Sequence, residues 1–142
     1  MKYTSKAKFA HDQAPSTGVL LVNLGTPEAA TASAVRRYLA EFLADPRVVE
    51  FPRLLWRMVL HGVILRIRPG HVARAYAKVW TPQGSPLMVI SQAISKKLQS
   101  LVNQSLPGPV HVELAMRYGN PSIANALENL RNKNVERLLI LP

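Results

Sequence analysis

The sequence contains no cysteine among its 142 residues, which excludes disulfide bonds, thiolate zinc sites and cysteine-ligated iron–sulfur clusters within it. Any bound metal would need histidine, carboxylate or substrate atoms as ligands. A membrane-spanning helix would need about eighteen uncharged residues in a row, and no such window occurs. The first fourteen residues carry three lysines and an aspartate instead of the apolar core of a signal peptide. We therefore expect a cytoplasmic protein.

Acidic residues are scarce. Eight Asp and Glu face eighteen Lys and Arg, which gives a formal net charge of +10. This balance predicts an anionic partner: nucleic acid, an acidic membrane surface, or a ligand bearing carboxylates or phosphates. The excess is concentrated in residues 35–79, which hold nine basic and three acidic residues. Solvated helix faces and a functional basic surface both account for such a run.

Glycine is sparse where a phosphate-binding loop would need it. In the stretch 18–27 (GVLLVNLGTP), a short apolar run meets a polar stop at residues 23–27, as at the end of a buried parallel strand. The single glycine of this turn, Gly25, supports neither a dinucleotide fingerprint nor a P-loop. Ligands of open α/β sheets bind beyond the carboxyl ends of the strands, so residues 23–27 are the first candidate for a site.

Two helical patterns follow this strand. Thr31 is placed to cap a helix whose apolar residues recur at helical spacing from Val35 to Leu43, and the helix should end before Pro46. Residues 54–67 form a second helical stretch that is both apolar and basic. Core packing is the favoured role of its apolar residues, and a lip touching a hydrophobic ligand or a membrane is the alternative. These residues are Leu54, Leu55, Met58, Val59, Val63 and Ile64.

The remaining chain alternates helices and strands. Pro69 and Gly70 predict a break, followed by a short helix over 71–79 and a loop over 80–86. A helix over 88–102, a strand over 110–116 and a loop over 117–121 come next. Ser122 should cap a further helix, and a third strand should begin at Arg137.

This order predicts a doubly wound α/β fold with a three-stranded parallel sheet. We expect a mobile tail over residues 1–17 and one α/β domain over 18–142, the amino-terminal part of something longer. The loops after the first two strands, 23–27 and 117–121, should meet at one edge of the sheet. Residues 83–86 could fold over the same edge.

Five separated motifs carry a family resemblance: 20–27 (LLVNLGTP), 36–45 (RRYLAEFLAD), 76–80 (YAKVW), 84–87 (GSPL) and 116–121 (MRYGNP). In this order they resemble the amino-terminal half of ferrochelatase in its proteobacterial form. The resemblance implies a chelatase-like fold of two similar parallel α/β domains, of which this chain is the first. It also implies insertion of ferrous iron into protoporphyrin IX to give protohaem, the last step of haem synthesis. Iron is then a substrate, and no resident cofactor is expected.

The resemblance also implies a porphyrin-binding wall. It places Leu24 against the macrocycle, three apolar residues at a lip, two residues near the propionates, and an Arg-Tyr pair lining the cleft. The lip residues are Leu39, Phe42 and Val48, those near the propionates are Lys78 and Ser85, and the pair is Arg117 and Tyr118. At Ala77 and Lys78 the sequence departs from animal members, which carry two arginines, so the propionate-binding residue stays open.

No catalytic or metal-binding residue is expected in this chain. The family's catalytic His and Glu belong to its second half, and none of the four histidines here matches them. Ser85 has no nearby His or Asp to activate it as a nucleophile. The alternative function is a basic α/β module that binds an anionic ligand or membrane surface without catalysis. Only Trp56 between Arg53 and Arg57 offers aromatic and basic interleaving, too little to expect nucleic acid.

Overall fold

A three-stranded parallel sheet forms the centre of the protein in a computed structural model, which describes residues 16–142. Strand β1 lies between β2 and β3, and both neighbours run parallel to it. The elements in chain order are β1 (Ser16–Gly25), α1 (Ala32–Ala44), α2 (Arg53–Val59), a π-helical turn (Leu60–Ile64), α3 (Leu65–Val79), α4 (Pro86–Ser105), β2 (Val110–Tyr118), α5 (Ile123–Asn132) and β3 (Val135–Leu141).

Helices cover both faces of the sheet, as the doubly wound pattern predicts. Successive side chains of β1 point to opposite faces, so Val19 and Leu20 enter different clusters. Val19 packs with Val110 and Val112 of β2, and helix α4 covers this cluster through Leu98 and Val102. On the other face, Leu20 packs with Ala115 of β2 and with Ala126 and Leu130 of α5. The predicted parallel α/β fold is confirmed.

A third core cluster joins α1 to α3 and to the π turn between α2 and α3. Its buried residues are Val35, Leu39, Leu60, Leu65 and Ala73. As predicted, the Thr31 hydroxyl caps α1 by accepting from the backbone N–H of Ala34 at 3.4 Å, and the helix ends before Pro46.

The favoured core role of the second helical stretch is wrong. Helix α2 and the π turn expose most of the apolar side chains predicted to be buried, because α1 packs against the π turn and α3. Leu54 is 78% exposed and Met58 is 59% exposed. Leu55, Val59 and Val63 are exposed as well, and Ile64 is half-buried. The stretch therefore presents an open apolar face.

The predicted break at Pro69 and Gly70 is also wrong, because α3 runs through both residues to Val79. A proline inside a helix removes one backbone hydrogen bond and costs about 3 kcal/mol. Here Pro69 is buried together with Leu65 and Ala73 on one face of α3. Burial of that face against α1 offsets the local cost.

Several predicted boundaries shift by a few residues. Ser16 and Thr17 belong to β1 and not to the predicted tail, since the Thr17 N–H donates to the Pro109 carbonyl at 3.0 Å. The rest of that tail, residues 1–15, lies outside the described residues. Strand β3 begins at Val135, earlier than predicted, and α4 already begins at Pro86. Ser122 caps α5 as predicted, accepting from the Asn125 N–H at 3.2 Å. Within residues 16–142, no helix is long and apolar enough to cross a membrane.

Candidate functional site at the carboxyl edge of the sheet

The carboxyl ends of β1 and β2 lie side by side, with Gly25 paired to Tyr118. Gly25 has a φ of +118°, in the region that favours glycine. A Cβ atom at this position would lie 1.9 Å from the Tyr118 carbonyl oxygen. The glycine therefore permits the close approach that brings the loops after β1 and β2 together.

Asp45, directly after α1, binds the end of β2. Its Oδ2 accepts hydrogen bonds from Arg117 Nη2 at 2.6 Å and from the Tyr118 hydroxyl at 3.0 Å. Its Oδ1 accepts from the backbone N–H of Arg47 at 2.8 Å. Strand β2 extends through Arg117 and Tyr118, which were predicted to lie in a loop. The strand thus fixes both side chains in front of a carboxylate.

These contacts shift the ionisation of all three groups. The backbone N–H of Arg47, followed by the hydrogen bonds from Tyr118 and Arg117, lowers the pKa of Asp45 below its ordinary value. The hydrogen bond to Asp45 raises the pKa of Arg117. Burial raises the pKa of the Tyr118 phenol, and the Asp45 carboxylate adds to this effect. At neutral pH the cluster therefore contains a carboxylate, a guanidinium and a neutral phenol.

Three aromatic rings line the same edge. The Tyr38 and Phe42 rings of α1 stack at 5.9 Å between centroids, and the Tyr118 ring meets Phe42 edge-on at 5.1 Å. The Tyr38 hydroxyl donates to the Gly25 carbonyl at 3.4 Å. Burial raises the pKa of Tyr38 to about 12. The three rings form an apolar aromatic patch beside the Asp45 cluster.

Two further carboxylates hold the loop after β2 against α1. Glu41 accepts from the backbone N–H of Gly119 at 2.8 Å. Glu28 accepts from the Asn120 amide at 2.6 Å and from Arg37 at 2.9 Å. Asp45, Glu41 and Glu28 therefore all accept hydrogen bonds from neighbouring residues of the fold.

Two cavities lie next to each other at the end of α1, since Ala44 and Pro46 line both. One, of about 540 Å³, is lined by two carboxylates and two arginines; the other, of about 560 Å³, is mostly apolar and is lined by two further arginines. The first is lined by Glu41, Ala44, Asp45, Pro46, Arg47, Arg117 and Tyr118. The second is lined by Ala44, Pro46, Val49, Phe51, Arg53, Leu54, Trp56, Arg57, Leu60 and His61.

Comparison with known proteins identifies the family. A family model described as Ferrochelatase matches residues 16–142. The chain belongs to the ferrochelatase family. A ferrochelatase of Chromobacterium violaceum is 49% identical over 141 residues, 99% of this chain and 39% of the relative. One of Thioalkalivibrio sulfidiphilus is 49% identical over 142 residues, the whole chain and 38% of the relative. Ferrochelatase 2 of Shewanella oneidensis is 54% identical over 134 residues, 94% of this chain and 41% of the relative. The chain spans about two fifths of the length of these relatives.

The residues that the ferrochelatase resemblance assigns to a porphyrin wall fall into two groups. The structure brings Phe42, Arg117 and Tyr118 together, and it exposes Leu24 at the carboxyl end of β1. Val48 is exposed in the turn after α1. Leu24, Phe42, Val48 and Arg117 could meet a ligand directly, whereas Tyr118 is buried, at 6% exposed. The contacts of all five stay predictions.

The other three residues are placed differently. Leu39 is 8% exposed within the α1–α3 core, so little of it could reach a ligand. Ser85 is buried, and its hydroxyl caps α4 by accepting from the Met88 N–H at 3.2 Å. Lys78 is exposed in the last turn of α3. Their predicted roles are untested by this geometry.

The sequence prediction assigned no role to Asp45, Glu41 or Glu28, although the ferrochelatase motif 36–45 contains the first two. The signal that could have found Asp45 is an acidic side chain at the end of α1, immediately before Pro46. Over residues 16–142, no group of three or more His, Asp or Glu side chains could hold a metal ion. His61 lines the apolar cavity, and His71 Nδ1 lies 2.9 Å from Arg74 Nη2.

Proposed function

We propose that the residues lining the two cavities and the aromatic patch form one wall of the porphyrin site of a ferrochelatase. This enzyme inserts ferrous iron into protoporphyrin IX to give protohaem. The observation that carries the proposal is the pair of adjoining cavities, one of them mostly apolar and both lined by arginines, beside a patch of aromatic rings. A flat hydrophobic macrocycle with two carboxylates requires apolar walls and a few cations. Family membership supports the same assignment.

Metallation makes two demands on such a site. Two pyrrole protons must leave while the iron sheds its water, and bending the macrocycle exposes nitrogen lone pairs to the metal. Bending requires a second wall. A proton acceptor is also needed, and Asp45, Glu41 and Glu28 at this edge are already occupied by hydrogen bonds. We therefore assign the acceptor and the second wall to the remaining length found in the relatives, where the family resemblance places the catalytic His and Glu.

The proposal predicts that the 142-residue chain alone does not metallate protoporphyrin at an enzymatic rate. A version extended through the remaining length of its relatives should do so. Iron insertion is measured from the loss of porphyrin fluorescence, and zinc insertion from the appearance of zinc-porphyrin emission. Suppose that the 142-residue chain inserts metal and that a mutation within it abolishes the insertion. This result would contradict the assignment of the proton acceptor and the second wall to the remaining length.

Porphyrin binding tests the wall itself. In the extended protein, Phe42→Ala removes the central ring of the aromatic patch and should weaken protoporphyrin binding about tenfold. The matched control is Leu127→Ala, which shortens an exposed side chain on α5. Equal binding by the two variants would refute the proposed wall.

We also propose peripheral contact of α2 and the π turn with an anionic membrane, and this contact is the core of the alternative, non-catalytic function. The exposed side chains of Leu54, Met58 and Val63 lie among Arg53 and Arg57, a composition suited to the membrane interface. The predicted cytoplasmic location stays a prediction.

Vesicle binding tests this contact. Binding to anionic vesicles should weaken steeply with salt, since the Debye length falls to about 10 Å at 0.1 M. Met58→Ser should weaken it further, and Leu127→Ser on α5 serves as the control. Equal binding to neutral and anionic vesicles would remove the idea.

A further inference from the structure

We propose that Asp45 is a positioning residue that holds Arg117 and Tyr118 as a charge-compensated pair, so that this part of the wall meets a porphyrin through ring contacts and not through positive charge. The inference rests on the proposed function. It assigns Asp45 a role, and it makes Arg117, which was expected only to line the cleft, a paired cation.

Geometry makes Asp45 the anchor of the pair. One oxygen, Oδ2, accepts from both Arg117 and Tyr118, while Oδ1 is fixed by the backbone N–H of Arg47. The side chain of Asp45 is 10% exposed, whereas that of Arg117 is 44% exposed. The carboxylate therefore lies behind the guanidinium and has little contact with solvent.

The same contacts fix the orientation of the ring. The guanidinium carbon of Arg117 lies 5.3 Å from the centroid of the Tyr118 ring, on which Phe42 packs edge-on. Because its hydroxyl donates to Asp45, Tyr118 is held at both ends, by its strand and by its phenol oxygen. Tyr118 itself is buried, at 6% exposed, so the ring that it holds in place for contact with a flat ligand is the half-buried ring of Phe42.

The unpaired cations lie elsewhere in the two cavities. In residues 16–142, no carboxylate pairs with the guanidinium of Arg47, Arg53 or Arg57, and all three line these cavities. Carboxylates of a bound porphyrin should therefore be attracted to these arginines. Arg117 should add little to that attraction while Asp45 is present.

Charge discrimination between two porphyrins tests the inference. Protoporphyrin IX and its uncharged dimethyl ester, in the same neutral detergent, are bound to the extended protein, and the ratio of the two affinities is measured by fluorescence. Asp45→Asn releases a positive charge and should raise the preference for the acid about three- to fivefold. Arg117→Gln releases a negative charge and should lower it by a similar factor. The double variant should return to the wild-type ratio.

A matched control is Glu128→Gln, which makes the same charge change on the exposed face of α5 and should leave the ratio unchanged. If Arg117 instead met a carboxylate of the ligand directly, Asp45→Asn would have little effect and the double variant would resemble Arg117→Gln. That pattern overturns the inference. Parallel loss of both affinities in all three variants would indicate a merely structural role and would overturn it as well.

A ligand-free measurement separates this inference from the proposed function. The Tyr118 phenol is titrated by its phenolate absorbance, identified by difference from Tyr118→Phe. The Asp45 carboxylate raises the pKa of Tyr118, so Asp45→Asn should lower it. If wild-type protein binds neither porphyrin but this decrease appears, the proposed function fails and the positioning role of Asp45 stands. An unchanged phenol titration would overturn the positioning role, whatever porphyrin binding shows.

Discussion

The two edge strands of the sheet, β2 and β3, differ in whether their outward-facing backbone groups have hydrogen-bond partners. At the outer edge of β2, the Gln99 side chain takes the place of a neighbouring strand: Nε2 donates to the Val110 carbonyl and Oε1 accepts from the Val112 N–H, both at 2.8 Å. The Met116 N–H donates to the Pro121 carbonyl at 2.7 Å. At the other edge, β3 pairs with β1 and has no further strand beside it among the described residues.

The β3 edge is also apolar. Leu138, Leu139, Ile140 and Leu141 are all at least 38% exposed, so the strand presents hydrophobic side chains on both faces. An open apolar edge is a surface on which another strand can pair, whereas a capped edge is protected. The candidate site lies on the capped side, between β2 and α1. The candidate site therefore lies beside β2, the edge strand whose backbone groups are capped. The other edge strand, β3, remains open to pairing with a further strand.

The largest expected effect comes from breaking the capped side where β1 meets β2. Gly25→Ala would place a methyl group on the Tyr118 carbonyl, and we expect the free energy of unfolding to fall by about 4 kcal/mol. Urea unfolding measures the loss. Gly70→Ala is the control, because no atom lies within 4 Å of its added Cβ, and it should stabilise α3 by about 0.5–1 kcal/mol. Similar stabilities of the two variants would show that the close approach is not needed.

A smaller effect is expected from removing the cap itself. Gln99→Leu leaves the Val110 carbonyl and the Val112 N–H without their partner and should lower the free energy of unfolding by about 2 kcal/mol. Gln104→Leu changes an exposed glutamine of the same helix and should stay within about 0.5 kcal/mol of wild type. Amide hydrogen exchange should be faster at Val112 in Gln99→Leu alone. Unchanged exchange there would count against the cap.

The open side should make the 142-residue chain associate. We expect a concentration-dependent oligomer, or a partly molten state that binds a hydrophobic dye, because exposed apolar side chains flank an unpaired edge. Ile140→Lys should weaken association about tenfold, roughly 1.4 kcal/mol, as measured by sedimentation. Leu127→Lys on α5 is the control. A sharp two-state monomer with the porphyrin affinity of the extended protein would contradict this expectation.

The smallest expected effect is a difference in pH dependence: the thermal midpoint should depend on pH through Asp45, beside β2, but not through the apolar residues of β3. The pKa of Asp45 is lowered in the folded protein, so its contribution to stability is present above the unfolded value of about 3.9 and is lost as the pH falls through the folded value. Asp45→Asn should therefore differ from wild type in thermal midpoint at neutral pH and converge with it in acid. The apolar residues of β3 do not titrate, so the wild-type and Ile140→Lys midpoints should keep their difference over this range. A constant Asp45→Asn difference would argue against the ion pair.

The order and type of the strands could be predicted from the sequence because their apolar runs end at clear turn residues. Helix α1 could be predicted because its cap, spacing and terminal proline agree. Burial along α2 could not, since its periodicity is the same whether its apolar face meets the core or solvent. Pro69 misled the prediction because tertiary packing outweighed its local preference.

The candidate site, like the fold, has a part that could be predicted from the sequence and a part that could not. Arg117 and Tyr118 were found through a motif, and their position at the edge of the sheet followed from the strand before them. Their link to Asp45 could not be predicted, because it joins residues 72 and 73 positions apart and depends on the direction in which α1 ends. The motif contained the aspartate, and only the three-dimensional contact gave it a role.

The π turn at Leu60–Ile64 determines what the two halves of this helical segment present. A π turn holds about one residue more than an α turn, and one residue corresponds to about 100° around a helix axis. The turn absorbs the extra residue, so Leu60 and Leu65, five positions apart, enter the same core cluster, with Trp56 packed against it. Leu54 and Met58 of α2 face outward. One extra residue thus keeps Trp56 and Leu60 on the same side as Leu65 and Ala73, while the rest of α2 presents an exposed apolar surface.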